Sequence, residues 1–146
     1  MALREAATPE FKEYGHQIVK NAKTLAKVLM DKGYKLVTDG TDNHLLLIDL
    51  TNKNIIGAEA ETALGKAGIT VNKNTVPFDP RSPFDPSGIR LGTPALTTRG
   101  MKEGEMEQIA TLIDRAVSHA SDDVYLNNIH NEVKEFVKAF PLPGDK

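Results

Sequence analysis

Residues 82–93 read SPFDPSGIRLGT, a loop of serine, proline, aspartate and glycine that runs straight into one arginine, Arg90, set between Ile89 and Leu91. A charged side chain within an apolar strand is rarely fully buried without a partner. The planar guanidinium can grip a carboxylate through two parallel, charge-assisted hydrogen bonds. Two readings of Arg90 follow from the residues themselves: an internal ion pair with a nearby carboxylate, such as one from the preceding loop, or a site for an anionic ligand. Gly88 and Gly92 let other backbone approach the strand closely, and a proline-stiffened loop delivers it.

Other polar groups surround this stretch in sequence. Asn72, Lys73 and Asn74 stand where a strand ends; an asparagine amide offers both donor and acceptor, which suits a heterocycle edge, though the same residues also suit an ordinary strand-to-loop transition. Ser82, Pro83 and Phe84 form a stiff tip whose backbone could read a flat ligand, or simply a packed surface loop. Asp42, Asn43 and His44 read as turn residues and a strand opening, since no nucleophile stands at a working spacing. Thr97, Thr98, Arg99 and Gly100 read as a helix-entry turn, with Arg99 facing solvent or phosphate. The chain has no Gly-rich phosphate loop, nucleophile elbow or metal motif.

Composition narrows the classes. With 146 residues, 40% apolar and 26% charged, the chain has the make-up of one soluble domain with a real core. Acids and bases nearly balance at a net charge of -2, so no basic field points to nucleic acid. No apolar run approaches the length of a membrane span, and no signal peptide is evident. The absence of cysteine removes disulfides and thiolate metal sites, and the four histidines lack ligand-like spacing. The expected setting is the cytoplasm, with no structural metal.

Hydrophobic periodicity supplies the elements that must position these groups. Phe11, Tyr14, Ile18, Ala22, Leu25, Leu29 and Met30 mark one face of a helix over residues 9–32, with Thr8 as N-cap and Gly33 at its end. YKLV (34–37) and HLLLIDL (44–50) read as an antiparallel pair, the second apolar enough to be a central strand covered on both sides. A short helix is expected over 57–67, a strand ITVNKN over 69–74 and a strand GIRLG over 88–92. Between these strands, residues 75–87 carry four prolines and two phenylalanines and form neither helix nor central strand. Two helices close the chain, over about 103–120 and 122–140. One inward stripe is Met106, Ile109, Ile113, Ala116 and Val117; the other is Val124, Ile129, Val133 and Phe136. The order predicts an α+β fold with a three- to four-stranded, mostly antiparallel sheet and helices mainly on one face, forming a single domain over 1–146.

The stretches EFKEYGHQIVKNAKTLAKVLMDKGYKLVT, TDNHLLLIDL and ITVNKNTVPFDPRSPFDPSGIRLGTPALTTRG resemble the C-terminal part of serine hydroxymethyltransferase, over essentially the whole chain. Gly15 departs from the family's glutamine. The resemblance implies the small C-terminal domain of an aspartate-aminotransferase-like (fold type I) enzyme that uses pyridoxal phosphate to move a one-carbon unit between serine and tetrahydrofolate, leaving glycine. It implies that Arg90 holds the carboxylate of the amino-acid substrate, that Ser82, Pro83 and Phe84 lie beside the folate, and that Asn74 lies near the pterin ring. The Schiff-base lysine and the acidic partner of the pyridine nitrogen belong to the family's large domain, ahead of Met1; Lys73 does not match that lysine. The expectation is therefore half an active site, with no catalytic residue and no activity alone, whose partners are its own large domain and, in the intact enzyme, further copies in a homo-oligomer. A mobile loop at 75–87 and a partly uncovered, association-prone first helix follow from the same reading. The other reading kept open is a standalone carboxylate- or folate-binding, or interaction, domain without catalysis.

Overall fold

The computed structural model describes residues 1–144. A short, exposed helix not evident in the sequence, α1 (Ala2–Ala6), precedes the long α2 (Pro9–Asp31). The Thr8 hydroxyl oxygen accepts from the Phe11 amide at 3.2 Å and Pro9 opens the helix, as the sequence predicts. At its far end Gly33 adopts φ of +82°, and the Gly33 and Tyr34 amides fold back onto the Met30 and Leu29 carbonyls.

Four strands follow: β1 (Lys35–Leu36), β2 (Leu45–Asp49), β3 (Asn72–Asn74) and β4 (Gly88–Gly92). They form one sheet in the order β1-β2-β4-β3, antiparallel throughout. The outer strands are shorter than their apolar runs. Thr38 and Asp39 take left-handed backbone angles just past β1, and the Ile69 amide is still bonded to Leu64 at the end of a helix.

Helices α3 (Gly57–Lys66), α5 (Glu103–Ser118) and α6 (Asp123–Lys138) join α2 around the core, with α4 (Pro94–Thr98) leading out of β4. Alternation along the strands sends Leu36, Leu46, Ile48 and Ile89 into that core, all essentially inaccessible. Leu45 and Leu47 point the other way and are only half-buried, outside the core cluster. The expectation that HLLLIDL is covered on both faces is thus corrected: the helices of this chain cover one.

The stripe on α5 is buried as predicted. On α6 the inward residues are Leu126 and Ile129, with Val133 and Phe136 partly buried against the core, whereas Val124 is 75% exposed. Val124 lies two residues from Leu126, about 200° around the helix, so it faces outward. On α2, Ala22, Leu25 and Leu29 are buried internally and the apolar face opens only near Phe11, a smaller uncovered surface than expected. Arg99 also differs from expectation: its Nε donates to the Phe140 carbonyl at 2.7 Å and Nη2 to that of Val137 at 3.2 Å. The last carbonyls of a helix lack intrahelical donors and attract a cation, which draws Arg99 there rather than to solvent. No helix among the described residues is long and apolar enough to cross a membrane.

Candidate functional site

Arg90 sits at the centre of β4, an inner strand paired with Leu47 of β2 on one side and Asn72 of β3 on the other. Its side chain therefore rises from the face that the helices leave open, and it is exposed. Among the described residues its guanidinium makes no ion pair or hydrogen bond.

The carboxylates that could neutralise it are committed elsewhere. Asp85 pairs with Arg81 inside the loop. Asp79 accepts from the Val76 and Ser87 amides through Oδ2, at 3.2 and 2.9 Å, and from the Arg81 amide and the Ser87 hydroxyl through Oδ1, at 2.9 and 2.7 Å. These bonds, led by that of the Ser87 amide, hold its carboxyl well below the usual carboxylate range against the opposing effect of desolvation. Asp49, on the open face two residues from Leu47, binds Lys35 at 2.8 Å and accepts from both the amide and the hydroxyl of Thr51. Desolvation pushes the Asp49 carboxyl up, but Lys35 and Thr51 together outweigh it and the net shift is downward. The two loop aspartates that the sequence offers as internal partners, Asp79 and Asp85, are thus paired elsewhere and not with Arg90.

Close backbone packing fixes the strand. A Cβ on Gly88 would come within 2.7 Å of the Ile48 carbonyl oxygen, and one on Gly92 within 2.9 Å of that of His44. Gly57, expected from the sequence only as the start of a helix, meets the same strand: its amide donates to the Pro86 carbonyl at 2.8 Å, and a Cβ there would overlap the Gly88 carbonyl. Beyond β4, buried Asn21 of α2 donates to the Thr97 hydroxyl and the Met101 carbonyl, both at 2.9 Å, and accepts from Gln17. The Thr93 hydroxyl donates to the Ile18 carbonyl. Both ends of the arginine strand are thus tied to helices.

Asn72 and Asn74 share the open face with Arg90 by register; Asn74 uses its amide on the Thr75 carbonyl at 2.7 Å. Ser82, Pro83 and Phe84 are exposed, Phe84 at 87%. They form a turn in which the Asp85 amide donates to the Ser82 carbonyl at 2.9 Å and the Phe84 amide to the Ser82 hydroxyl at 3.3 Å. The Lys73 ammonium donates to the Phe84 carbonyl at 3.0 Å, tying this tip to β3. No hydrogen bond among the described residues joins the tip to Arg90 or Asn74. The expectation of a mobile loop meets one that is densely bonded to itself. Asn43 accepts from the Leu45 amide, the turn role read for it, and no cluster of three metal-ligating side chains occurs among the described residues.

A family model described as serine hydroxymethyltransferase matches residues 1–113, most of the chain. The chain belongs to the serine hydroxymethyltransferase family. Its match takes in the whole sheet, the loop and Arg90, and ends within α5. A serine hydroxymethyltransferase of Acidobacterium capsulatum is 56% identical over 144 residues, covering 99% of this chain and 34% of the relative. This serine hydroxymethyltransferase-family chain thus spans about a third of that relative's length.

Residue types alone missed Asp79, Gly57 and the bracing role of Lys73. The available signals were Asp-Pro at 79–80, typical of a turn, and a glycine at a helix start after two isoleucines.

Proposed function

We propose that this chain supplies the substrate-carboxylate clamp and the folate-side segment of a serine hydroxymethyltransferase, the enzyme that exchanges a one-carbon unit between serine and tetrahydrofolate. The observation that carries the reading is Arg90: an exposed guanidinium without a partner among the described residues, on a strand paired at both edges, with the loop acids Asp79 and Asp85 and the strand acid Asp49 engaged elsewhere. Its two-pronged donor geometry matches the carboxylate of serine or glycine. Fixing that carboxylate orients the rest of the amino acid, and orientation is a large part of what such an enzyme contributes. Asn74 offers amide groups to the pterin, and Ser82–Phe84 flank the folate.

On this reading the lysine that binds pyridoxal phosphate lies outside this chain. Lys73, the lysine beside the segment, spends its ammonium on the Phe84 carbonyl. The cofactor supplies stabilisation of charge on the amino acid's α-carbon when bound, and residues of a large domain outside this chain hold it. That domain covers the open face with Leu45, Leu47 and Arg90, so residues 1–146 act as one small domain with no transferase activity alone; membership of the family supports an intact enzyme that is a cytoplasmic homo-oligomer.

The test is titration of the chain and its Arg90→Ala variant with glycine and with tetrahydrofolate, followed by NMR, beside a turnover assay. The expected result is glycine binding weaker than about 1 mM, lost in the variant, with no turnover. Micromolar, Arg90-dependent binding would instead mark a standalone binding module, and turnover would overturn the half-site reading.

A further inference from the structure

Asp79 ties together three points of the loop that are far apart along it: its start at Val76, its middle at Arg81 and its end at Ser87. One end of this brace is anchored in the fold. Ser87 is 2% exposed and its carbonyl accepts from the Leu50 amide at 3.1 Å, just beyond β2. From the middle point, Arg81 turns its side chain back to Asp85, with Nε on the Asp85 carbonyl at 3.0 Å. The stretch between Arg81 and Asp85 is Ser82–Phe84, which the Lys73 ammonium supports from the other side. The backbone also adopts φ of +57° at Phe78, an outlier for a bulky residue that persists only where its surroundings over-determine it.

We propose that Asp79 is a positioning residue that sets the shape of Ser82–Phe84 before any ligand arrives. Only an ionised carboxylate has acceptors for four donors and no donor of its own; asparagine would turn an NH2 group toward two of them, and glutamate would place its oxygens a methylene further out. A segment already shaped pays less ordering entropy on binding. That the segment serves folate rests on the function proposed above; that Asp79 shapes it rests on the hydrogen bonds alone.

The test is amide hydrogen exchange and amide chemical shifts in the 146-residue chain, comparing wild type with Asp79→Asn and Asp79→Glu. In Asp79→Asn the Phe84 and Asp85 amides should exchange about 10-fold faster, with resonances of 82–85 moving toward random-coil positions, while α2 and α5 keep their rates. Asp79→Glu should not restore them. A residue that merely stabilised the fold would raise exchange in α2 and α5 as well. Unchanged rates and shifts at the tip in Asp79→Asn overturn the proposal, as does a uniform rise. If that variant fails to fold, Ser87→Ala removes one donor and should speed the same two amides about 3-fold; no change there overturns it equally. Tetrahydrofolate added to wild type tests the folate reading separately: shifts centred on 82–84 support it, shifts elsewhere count against it, silence is what a half-site alone gives, and the exchange comparison decides the role of Asp79 in every case.

Discussion

Ile48 and Leu47 are neighbours in one strand, yet Ile48 lies fully buried under the helices while Leu47, on the opposite face and paired with Arg90, is only partly buried. The covered face is held by contact with α2 and α3, on which α5 packs in turn. The open face carries an ion pair at Lys35–Asp49, an arginine without a partner among the described residues, and the two asparagines of β3. What differs is the work each face does. One stabilises the chain; the other carries polar groups that, on the function proposed above, meet a substrate and a large domain.

The widest gap between the faces should appear on truncation. Ile48→Ala is expected to cost about 3 kcal/mol in urea unfolding, through lost transfer energy and the cavity left behind. Leu47→Ala, one residue away, should cost clearly less, about 1–2 kcal/mol, since its side chain is only partly buried. Equal costs would erase the distinction. Gly57→Ala comes next: the added methyl collides with the backbone of the arginine strand and should cost about 2 kcal/mol as overpacking. A neutral result would show that this contact is slack.

Asp49→Ala probes a buried charge of the open face and should cost about 1–2 kcal/mol for its lost partners. Its pH dependence has a definite sign. The folded carboxyl titrates below the unfolded one, so below the usual carboxylate range the unfolded state binds more protons and stability rises with pH. The contribution is complete above the unfolded pKa and is lost as pH falls through the folded value. Asp79, shifted the same way, adds to this acid limb. Acid unfolding of Asp49→Asn should therefore be shallower than that of wild type. The smallest stability effect belongs to Arg90→Ala, within about 0.5 kcal/mol, although it should abolish any response to glycine. A large loss of stability there would mean that Arg90 is structural after all.

Much of this was readable in the chain because the signals are local. Thr8 and Gly33 bound α2, glycines frame GIRLG, and the apolar stripe of α5 follows its own period. The order of elements gave the α+β class and the antiparallel sheet. What escaped depends on partners distant in sequence. Arg99 is drawn to the end of α6 by carbonyls some forty residues on. Val124 looked inward because it is apolar, but two residues of offset from Leu126 turned it out. HLLLIDL looked covered on both sides because a run of leucines does not say how many layers its own chain provides. Around Arg90, the motif drew attention to the guanidinium, while the acids that leave it free became visible only once the loop was folded.

The strand order has a consequence for the nascent chain. β4 follows both of its neighbours in sequence but lies between them in the sheet. As the chain emerges from the N-terminus, β1 and β2 can pair while the other edge of β2, within the apolar run HLLLIDL, still waits for residues 88–92. An exposed apolar edge of that kind is a template for pairing with other chains. The interval ends when β4 inserts, and that same event lifts Arg90 into place. A chain that presents its arginine in register has therefore already closed its most aggregation-prone edge.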